Sequence, residues 1–248
     1  AGGLAVALGQ VLQQTGGLWF GWSGTVAENG TTGEGAVQTT QADSVTMATL
    51  DLCRDDHDSY YAGYSNEVLW PVFHSRLDLA HFDHAFFEGY LRVNQAFAHA
   101  LLPLLRPDDT IWVHDYHLIP LATQLRALGC RQRIGFFLHI PLPPQAMLAA
   151  VPQHEWLFRS LFAYDLVGVQ TPQDVQHFES YVLNEAQGRS LGSGTYRAYE
   201  RNVRCSAFPI GIDVDEFAAL AQARESRETY ESMRRAHAQQ RLVLGIDR

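Results

Sequence analysis

The chain has 248 residues, enough for one large domain or two small ones. Hydrophobic residues make up 46% of it and charged residues 18%, proportions that exclude a disordered chain, a collagen-like repeat and a disulfide-stapled mini-protein. The net charge of −9 argues against a protein built to bind nucleic acid or an anionic membrane surface. All 18 basic residues are arginine, so this stretch offers neither a Schiff-base lysine nor a P-loop lysine.

Cysteine usage and hydropathy indicate a compartment. Cys53, Cys130 and Cys205 lie far apart and form no CxxC pair, so neither a disulfide framework nor a thiolate zinc site is predicted. No run approaches the ~18 apolar residues that a membrane span needs. We therefore expect a cytoplasmic protein without a membrane partner. Because the chain opens on a glycine pair and stops after an apparent strand, we also expect a fragment truncated at both ends.

The first third of the chain gives mixed patterns. Apolar residues recur at helical spacing over 4–12, and residues 16–24 are predicted to be an aromatic, glycine-rich strand or tight turn. Residues 30–41 are predicted to be a loop, and residues 44–52 alternate as a strand does. Residues 60–73 are predicted to be an aromatic helix.

A regular alternation of helices and apolar strands follows. The predicted helices cover residues 86–105, 118–128, 144–162 (one helix or two), 172–183 and 215–240. The predicted strands cover residues 110–114, 134–140, 166–169 and 242–246, with a strand or hairpin over 197–210. This pattern is typical of a parallel sheet covered on both faces, so the predicted fold class is α/β with a doubly wound parallel sheet. The Gly-, Ser- and Arg-rich residues 187–199 are predicted to be an exposed, mobile connection.

Ligands bind such sheets at the carboxyl ends of the strands, where Asp115 and His139 are predicted to lie. The Asp115 carboxylate could accept hydrogen bonds from sugar hydroxyls; alternatively, it caps the next helix. Two prolines soon after His139 would aim its imidazole rigidly; alternatively, it is a core histidine bonded to backbone. The spacing of His114 and His117 around Asp115 resembles that of metal ligands. Because the sequence indicates no fourth ligand, no metal site is predicted.

Two candidate anion sites lie near the chain ends. Gly2 and Gly3 precede a predicted helix and offer unobstructed N–H groups to an anion, unless they form only a turn. Arg248 follows the last predicted strand and would suit a phosphate, unless it is only a frayed terminus.

Three aromatic residues lie in polar or glycine-rich settings: Trp22, Tyr61 and Trp70. Each has a flat apolar face and a hydrogen-bonding edge, which suits a pyranose ring. A place in the core is the other reading for each of them.

Taken together, these segments resemble retaining glycosyltransferases of the trehalose-6-phosphate synthase family, family 20. The matching stretches run across nearly the whole chain: GGLAV at 2–6, GLWFGWSG at 17–24, YY at 60–61 with 66–73, GYLRVN at 89–94, WVHDYHL at 112–118, 134–143, 165–171 and PIGI at 209–212. Their shared order, rather than any one block, makes the resemblance specific.

The resemblance implies a GT-B fold of two Rossmann-like domains. Residues 1–240 would be the N-terminal, acceptor-side domain, and residues 241–248 the first strand of the nucleotide-sugar domain. The implied reaction is retaining glucosyl transfer from UDP-glucose to glucose 6-phosphate, giving α,α-trehalose 6-phosphate, with the leaving phosphate as base and no metal or cofactor. The chain alone would be inactive. The resemblance leaves open whether the protein forms a homo-oligomer.

The resemblance also implies roles for individual residues. The acceptor-binding residues would be Trp22, Tyr61, Trp70, Asp115, Tyr116 and His117. The donor-binding residues would be Gly2, Gly3, His139 and Arg248, and the catalytic set would be Asp115, His139 and Arg248. Two alternatives stay open: a non-catalytic sugar-phosphate-binding regulatory homologue, and a related glycosyltransferase with another acceptor, such as glycerol 3-phosphate.

Overall fold

The computed structural model describes residues 12, 14–28, 30, 32, 37–42, 44–211 and 214–240. The predicted helix at 4–12 falls mostly outside these residues, and the predicted strand at 242–246 falls wholly outside them. The chain divides into two compact units, Ala1–Pro209 and Ile210–Arg248. The domain boundary expected after residue 240 stays a prediction.

A small sheet opens the first unit. Its strands are β1 (Gly17–Ala27), β2 (Gln38–Ala42) and β3 (Val45–Cys53), in the order β1-β3-β2. β3 runs parallel to β1 and antiparallel to β2, and every second residue of its later half is buried. The loop predicted over 30–41 is wrong at its end, because β2 begins at Gln38. The side chains of β2 are exposed, so backbone hydrogen bonds to β3 hold it in the sheet.

A layer of helices follows β3. It consists of α1 (Arg54–Asp56), a π-helix (His57–Leu69), α2 (Trp70–Phe73), a 3₁₀ turn (Leu77–Leu79), α3 (His84–Leu101) and a 3₁₀ turn (Leu102–Leu104). The helix predicted over 60–73 is confirmed, although most of it is wound as a π-helix: the Trp70 N–H donates to the Ser65 carbonyl. Asp83 begins α3 by accepting a hydrogen bond from the Ala85 N–H at 2.8 Å.

The second sheet carries the alternating pattern. Its strands are β4 (Thr110–His114), β5 (Arg133–Phe137), β6 (Leu166–Val169), β7 (Arg189–Gly192), β8 (Thr195–Ala198) and β9 (Arg201–Ala207), in the order β4-β5-β6-β9-β8-β7. β4, β5, β6 and β9 are parallel, which confirms the predicted α/β class, and β8 and β7 add an antiparallel edge. β5 ends at Phe137, three residues before the predicted end.

The predicted mobile connection over 187–199 is wrong. Ser193 and Gly194 have φ values of +50° and +71°, which suit a two-residue hairpin turn joining β7 to β8. Tyr196 and Ala198 of β8 are buried. Composition alone pointed to a loop, because Gly and Ser serve turns and short edge strands equally well.

Helices connect the parallel strands. They are a 3₁₀ turn (Tyr116–Leu118), α4 (Leu121–Ala127), α5 (Gln145–Leu148), α6 (His154–Ser160), a 3₁₀ turn (Leu161–Ala163) and α7 (Pro172–Asn184). A capping box between Thr171 and Asp174, with proline at the first turn, fixes the start of α7. α6, the 3₁₀ turn after it and α7 supply an aromatic core cluster, defined as Phe158, Phe162, Phe178 and Tyr181.

The second unit contains α8 (Val214–Gln222) and α9 (Arg224–Ala236). The single helix predicted over 215–240 is wrong, because Ala223 between them has an extended backbone, with φ −60° and ψ 147°. Throughout the described part of the chain, every helix is too short or too polar to cross a lipid bilayer.

Candidate active site

Asp115 follows β4 in a strained backbone conformation. Its φ of +71° and ψ of 168° fall in a region that is essentially reserved for glycine and costs about 1–3 kcal/mol. Its N–H still donates to the Phe137 carbonyl at 2.8 Å, so the residue extends the pairing of β4 with β5. The turn places a carboxylate at the carboxyl edge of the parallel sheet.

Two backbone N–H groups anchor that carboxylate. Oδ1 of Asp115 accepts hydrogen bonds from the Tyr116 N–H at 3.1 Å and the His139 N–H at 3.2 Å. Burial raises the pKa of Asp115, whereas these two donors and nearby His74 act to lower it. Within the described residues, Oδ2 accepts no hydrogen bond from protein, so one carboxylate oxygen is held and the other is open to a ligand hydroxyl.

The imidazoles of His114 and His139 meet beside this carboxylate. Nδ1 of His114 lies 3.0 Å from Nε2 of His139. Burial, together with His139, lowers the pKa of His114 to about 4, and burial also lowers the pKa of His139. Both rings are therefore neutral near pH 7, and one nitrogen donates to the other.

An aromatic wall stands next to the Asp115 turn; we define it as Trp22, His57, Tyr61 and His117. The Tyr61 and His117 rings are stacked, with centroids 5.5 Å apart and planes inclined by 14°. Trp22 lies 5.2 Å from Tyr61, and His57 lies 5.6 Å from each of these two rings. Tyr61 is 37% exposed, so the wall presents ring surface to solvent.

His117 is the buried end of the wall. Burial lowers its pKa to about 4, so the ring is neutral at pH 7. Among the described residues, nothing hydrogen-bonds its buried Nε2. Its own carbonyl accepts from Nδ2 of Asn94 at 3.2 Å, and the Tyr116 carbonyl accepts from the Tyr90 hydroxyl at 2.6 Å. Two side chains of α3 thus hold the backbone that carries Tyr116 and His117.

Trp70 joins the site through His74. Their rings are stacked with centroids 4.0 Å apart, and the His74 Nδ1–H donates to the Trp70 carbonyl at 2.7 Å. The Trp70 side chain is substantially exposed. The pair is near enough to Asp115 for His74 to act to lower the pKa of that carboxyl group.

A cleft of about 470 Å³ opens beside His139, at the ends of β5 and β6 and the start of α7. Its lining mixes backbone turns with polar side chains, among them Ser75, Gln173 and His177. A cleft of this volume can hold a sugar-sized ligand.

The structure brings most of the predicted site residues together. Contacts connect Trp22, Tyr61, Asp115, Tyr116, His117 and His139. Trp70 contacts His74. Gly2, Gly3 and Arg248 lie outside the described residues. The functional roles of all of them stay predictions. In the described ranges, His, Cys, Asp and Glu side chains nowhere gather in threes as a metal site requires.

Sequence reasoning missed three members of this site: His57, Asn66 and His74. His57 and Tyr61, like Trp70 and His74, are four residues apart, the spacing that places side chains on one helical face. That spacing was available in the sequence. Asn66 gave no comparable sign, because its partners come from two separate segments.

Comparison with known proteins supports this picture. The chain is 45% identical over 249 residues to trehalose-6-phosphate synthase of Sinorhizobium fredii (strain NBRC 101917 / NGR234), covering 100% of this chain and 53% of the relative. It is also similar to trehalose-6-phosphate synthase of Klebsiella pneumoniae, at 44% identity over 90% of this chain and 46% of that protein. The chain thus spans about half the length of the curated relatives it matches.

Solved structures give the same result. An α,α-trehalose-phosphate synthase (UDP-forming) from Burkholderia xenovorans, in complex with glucose-6-phosphate, superposes with a TM-score of 0.88 at 50% identity, covering 94% of this chain and 52% of that one. A second solved structure, from E. coli and bound with UDP-2-fluoro glucose, has a TM-score of 0.87 at 39% identity. The match covers 96% of this chain and 52% of that one. Since the family model of glycosyltransferase family 20 matches residues 1–248, the chain belongs to glycosyltransferase family 20.

Proposed function

We propose that this chain forms the acceptor-side half of an α,α-trehalose-phosphate synthase, which transfers glucose from UDP-glucose to glucose 6-phosphate with retention. The observation that carries the proposal is the half-anchored Asp115 carboxylate beside the stacked Tyr61 and His117 rings, at the carboxyl edge of the sheet. The relatives' bound glucose-6-phosphate and UDP-sugar support the two substrates.

The acceptor sugar is proposed to lie between the aromatic wall and Asp115. A pyranose has apolar C–H faces that pack on rings, so Trp22 and Tyr61 would take one face. Oδ2 of Asp115 would accept a hydrogen bond from a hydroxyl of the acceptor sugar. Because the carboxylate is charged, that hydrogen bond is stronger than one to a neutral oxygen. Tyr61 and Trp70 would lie near the sugar phosphate, with the phenol and indole N–H as donors.

The donor is proposed to approach from the His139 side. His139 would contact the donor glucose, because its imidazole lines the cleft. Gly2 or Gly3 would bring backbone N–H groups to the donor phosphates. Arg248 would pair with the diphosphate, where a permanently charged guanidinium suits two anionic oxygens.

In the proposed reaction, the acceptor oxygen bonds to the anomeric carbon as the bond to UDP breaks. The leaving phosphate takes the acceptor proton on the same face, so no protein nucleophile is needed. The contribution of the chain is to hold the two sugars in a reactive geometry and to stabilise charge. Asp115 serves this purpose by orienting the acceptor rather than by taking its proton.

The test is an assay of the full-length protein with UDP-glucose and glucose 6-phosphate. We expect equal amounts of UDP and α,α-trehalose 6-phosphate, with the anomeric configuration read by NMR. Binding of glucose 6-phosphate without turnover would favour the regulatory alternative. Faster turnover with glycerol 3-phosphate would show a different acceptor, and either result would contradict the proposal.

A further inference from the structure

Asn66 connects the two parts of the site that would hold the acceptor. It lies in the π-helix that carries Tyr61, and its side chain reaches the segment that carries Asp115, Tyr116 and His117. We propose that Asn66 is a positioning residue that fixes the position of Tyr61 relative to the Asp115 turn and thereby sets affinity for the acceptor. The proposal rests on the proposed function, because it assigns Asn66 to the acceptor side of that reaction.

The two hydrogen bonds of Asn66 have only one consistent arrangement. Nδ2 of Asn66 lies 2.8 Å from the Tyr61 carbonyl, which can only accept, so the amide nitrogen must face it. Oδ1 then faces the Tyr116 hydroxyl at 2.9 Å, and the phenol must donate. Burial raises the pKa of Tyr116, which keeps that phenol protonated. Neither bond can be reversed without losing the other.

These bonds close a ring of contacts around the wall. One side of the ring is the stack of Tyr61 on His117, and the other is the path from the Tyr61 carbonyl through Asn66 to the Tyr116 hydroxyl. Because Tyr116 and His117 are adjacent in the chain, both paths join the helix that carries Tyr61 to the same segment. An acceptor sugar that must touch Tyr61 and Asp115 together depends on that geometry.

Side chains other than Asn66 also hold the segment that follows Asp115. Tyr90 and Asn94 bind the carbonyls of Tyr116 and His117 from α3. Loss of Asn66 therefore leaves the turn attached to the fold and loosens the helix that carries Tyr61 relative to it. This predicts a change in acceptor affinity rather than a general loss of structure.

The experiment compares Asn66→Ala and the isosteric Asn66→Asp in the full-length protein. Asn66→Asp keeps an oxygen for the Tyr116 hydroxyl but removes the donor to the Tyr61 carbonyl. Each variant is expected to raise KM for glucose 6-phosphate about tenfold, as the loss of one or two hydrogen bonds allows, and to leave KM for UDP-glucose within about twofold. An unchanged acceptor KM, or an equal rise in both KM values, would overturn the proposal.

Asn184→Ala is the matched control. Its amide also donates to a carbonyl of its own helix, that of Ser180 at 2.8 Å, but it lies in α7 and outside the site. It is expected to leave both KM values unchanged. If Asn184→Ala raised the acceptor KM as much as Asn66→Ala does, the effect would be one of general stability and the proposal would fail.

A second readout does not depend on catalysis. With tyrosine labelled with ¹³C at Cζ, the Tyr61 and Tyr116 signals are expected to move together in Asn66→Asp and to stay in place in Asn184→Ala. Signals that stay in place in both variants would refute the coupling even in an active enzyme. If the protein made no trehalose 6-phosphate but both signals moved, the proposed function would fail while the coupling by Asn66 stood.

Discussion

The aromatic core cluster and the aromatic wall are built from similar rings at similar spacing, but they differ in what surrounds them. In the core cluster, Phe158 is 1% exposed and its ring lies 3.9 Å from that of Tyr181. In the wall, Tyr61 is 37% exposed, and its stacking partner His117 has a buried nitrogen that nothing in the described residues hydrogen-bonds.

The difference shows why ring content alone does not identify a binding surface. Both groups gain from packing, and the core cluster is closed on all sides. The wall is partly exposed to solvent, and it lies beside Asp115, whose backbone is strained, at the edge of the sheet. The core should therefore respond to substitution through stability, and the wall through ligand affinity.

Phe158→Ala tests the core side of the comparison with the largest expected effect. Removing a fully buried ring should lower the free energy of unfolding by about 3–5 kcal/mol, because a cavity is left among packed neighbours. Chemical denaturation measures this. Tyr61→Leu is the control, and a loss for Phe158→Ala no larger than for that control would contradict the distinction.

Asp115→Ala tests the site side. In the full-length protein, kcat/KM for glucose 6-phosphate should fall by more than ~10², because the anchored carboxylate orients the acceptor in the transition state. Asp78→Ala removes an exposed carboxylate that pairs with Arg76, and it should leave kcat/KM unchanged. Comparable rates for Asp115→Ala and the wild type would rule out the proposed role.

Acid should weaken the fold through the buried histidines of the site. The pKa values of His114 and His117 are about 4 in the folded chain, against ~6.5 for an ordinary histidine. Below pH ~6.5 the unfolded chain takes up protons first, so stability present at pH 7 is lost down to pH ~4, by up to about 3 kcal/mol for each histidine. The raised pKa of Asp115 acts with the opposite sign.

Unfolding measured at several pH values checks this expectation. His117→Asn cannot titrate, so its stability should depend less steeply on pH between about 6.5 and 4. An identical slope in the variant and the wild type would show that His117 contributes nothing to the effect.

Tyr61→Leu has the smallest expected effect and sharpens the comparison most. Loss of the ring face that would pack against the acceptor sugar should cost about 1 kcal/mol in binding, or about fivefold in KM for glucose 6-phosphate. Tyr61→Phe keeps the ring and should retain most of the affinity. If Tyr61→Leu instead destabilised the fold as Phe158→Ala does, the wall would be core.

Strong local patterns predicted the fold well where they exist. The sequence predicts β4 and β6 with the observed bounds and α7 within one residue, because short apolar runs mark the strands and proline in the first turn marks the helix. It missed β2 and β7, since exposed edge strands are held by backbone pairing that leaves no apolar alternation. It also missed β8, which alternates between buried and more exposed residues but is only four residues long.

The site was predictable to the extent that topology defines it. The rule that ligands meet strand ends led to Asp115 and His139, and the structure places the Asp115 carboxylate on the His139 backbone. The pairing of His114 with His139, and the bridge through Asn66, depend on side-chain directions across segments far apart in sequence. Periodicity within one element carries no information about them.

The backbone at Asp115 implies a conflict at a single position. A φ of +71° favours the one amino acid without a side chain, whereas the chemistry proposed there needs a carboxylate. Selection for stability would thus favour glycine at this position, and selection for turnover would favour aspartate. Replacing Asp115 by glycine should therefore remove the backbone strain and abolish the activity.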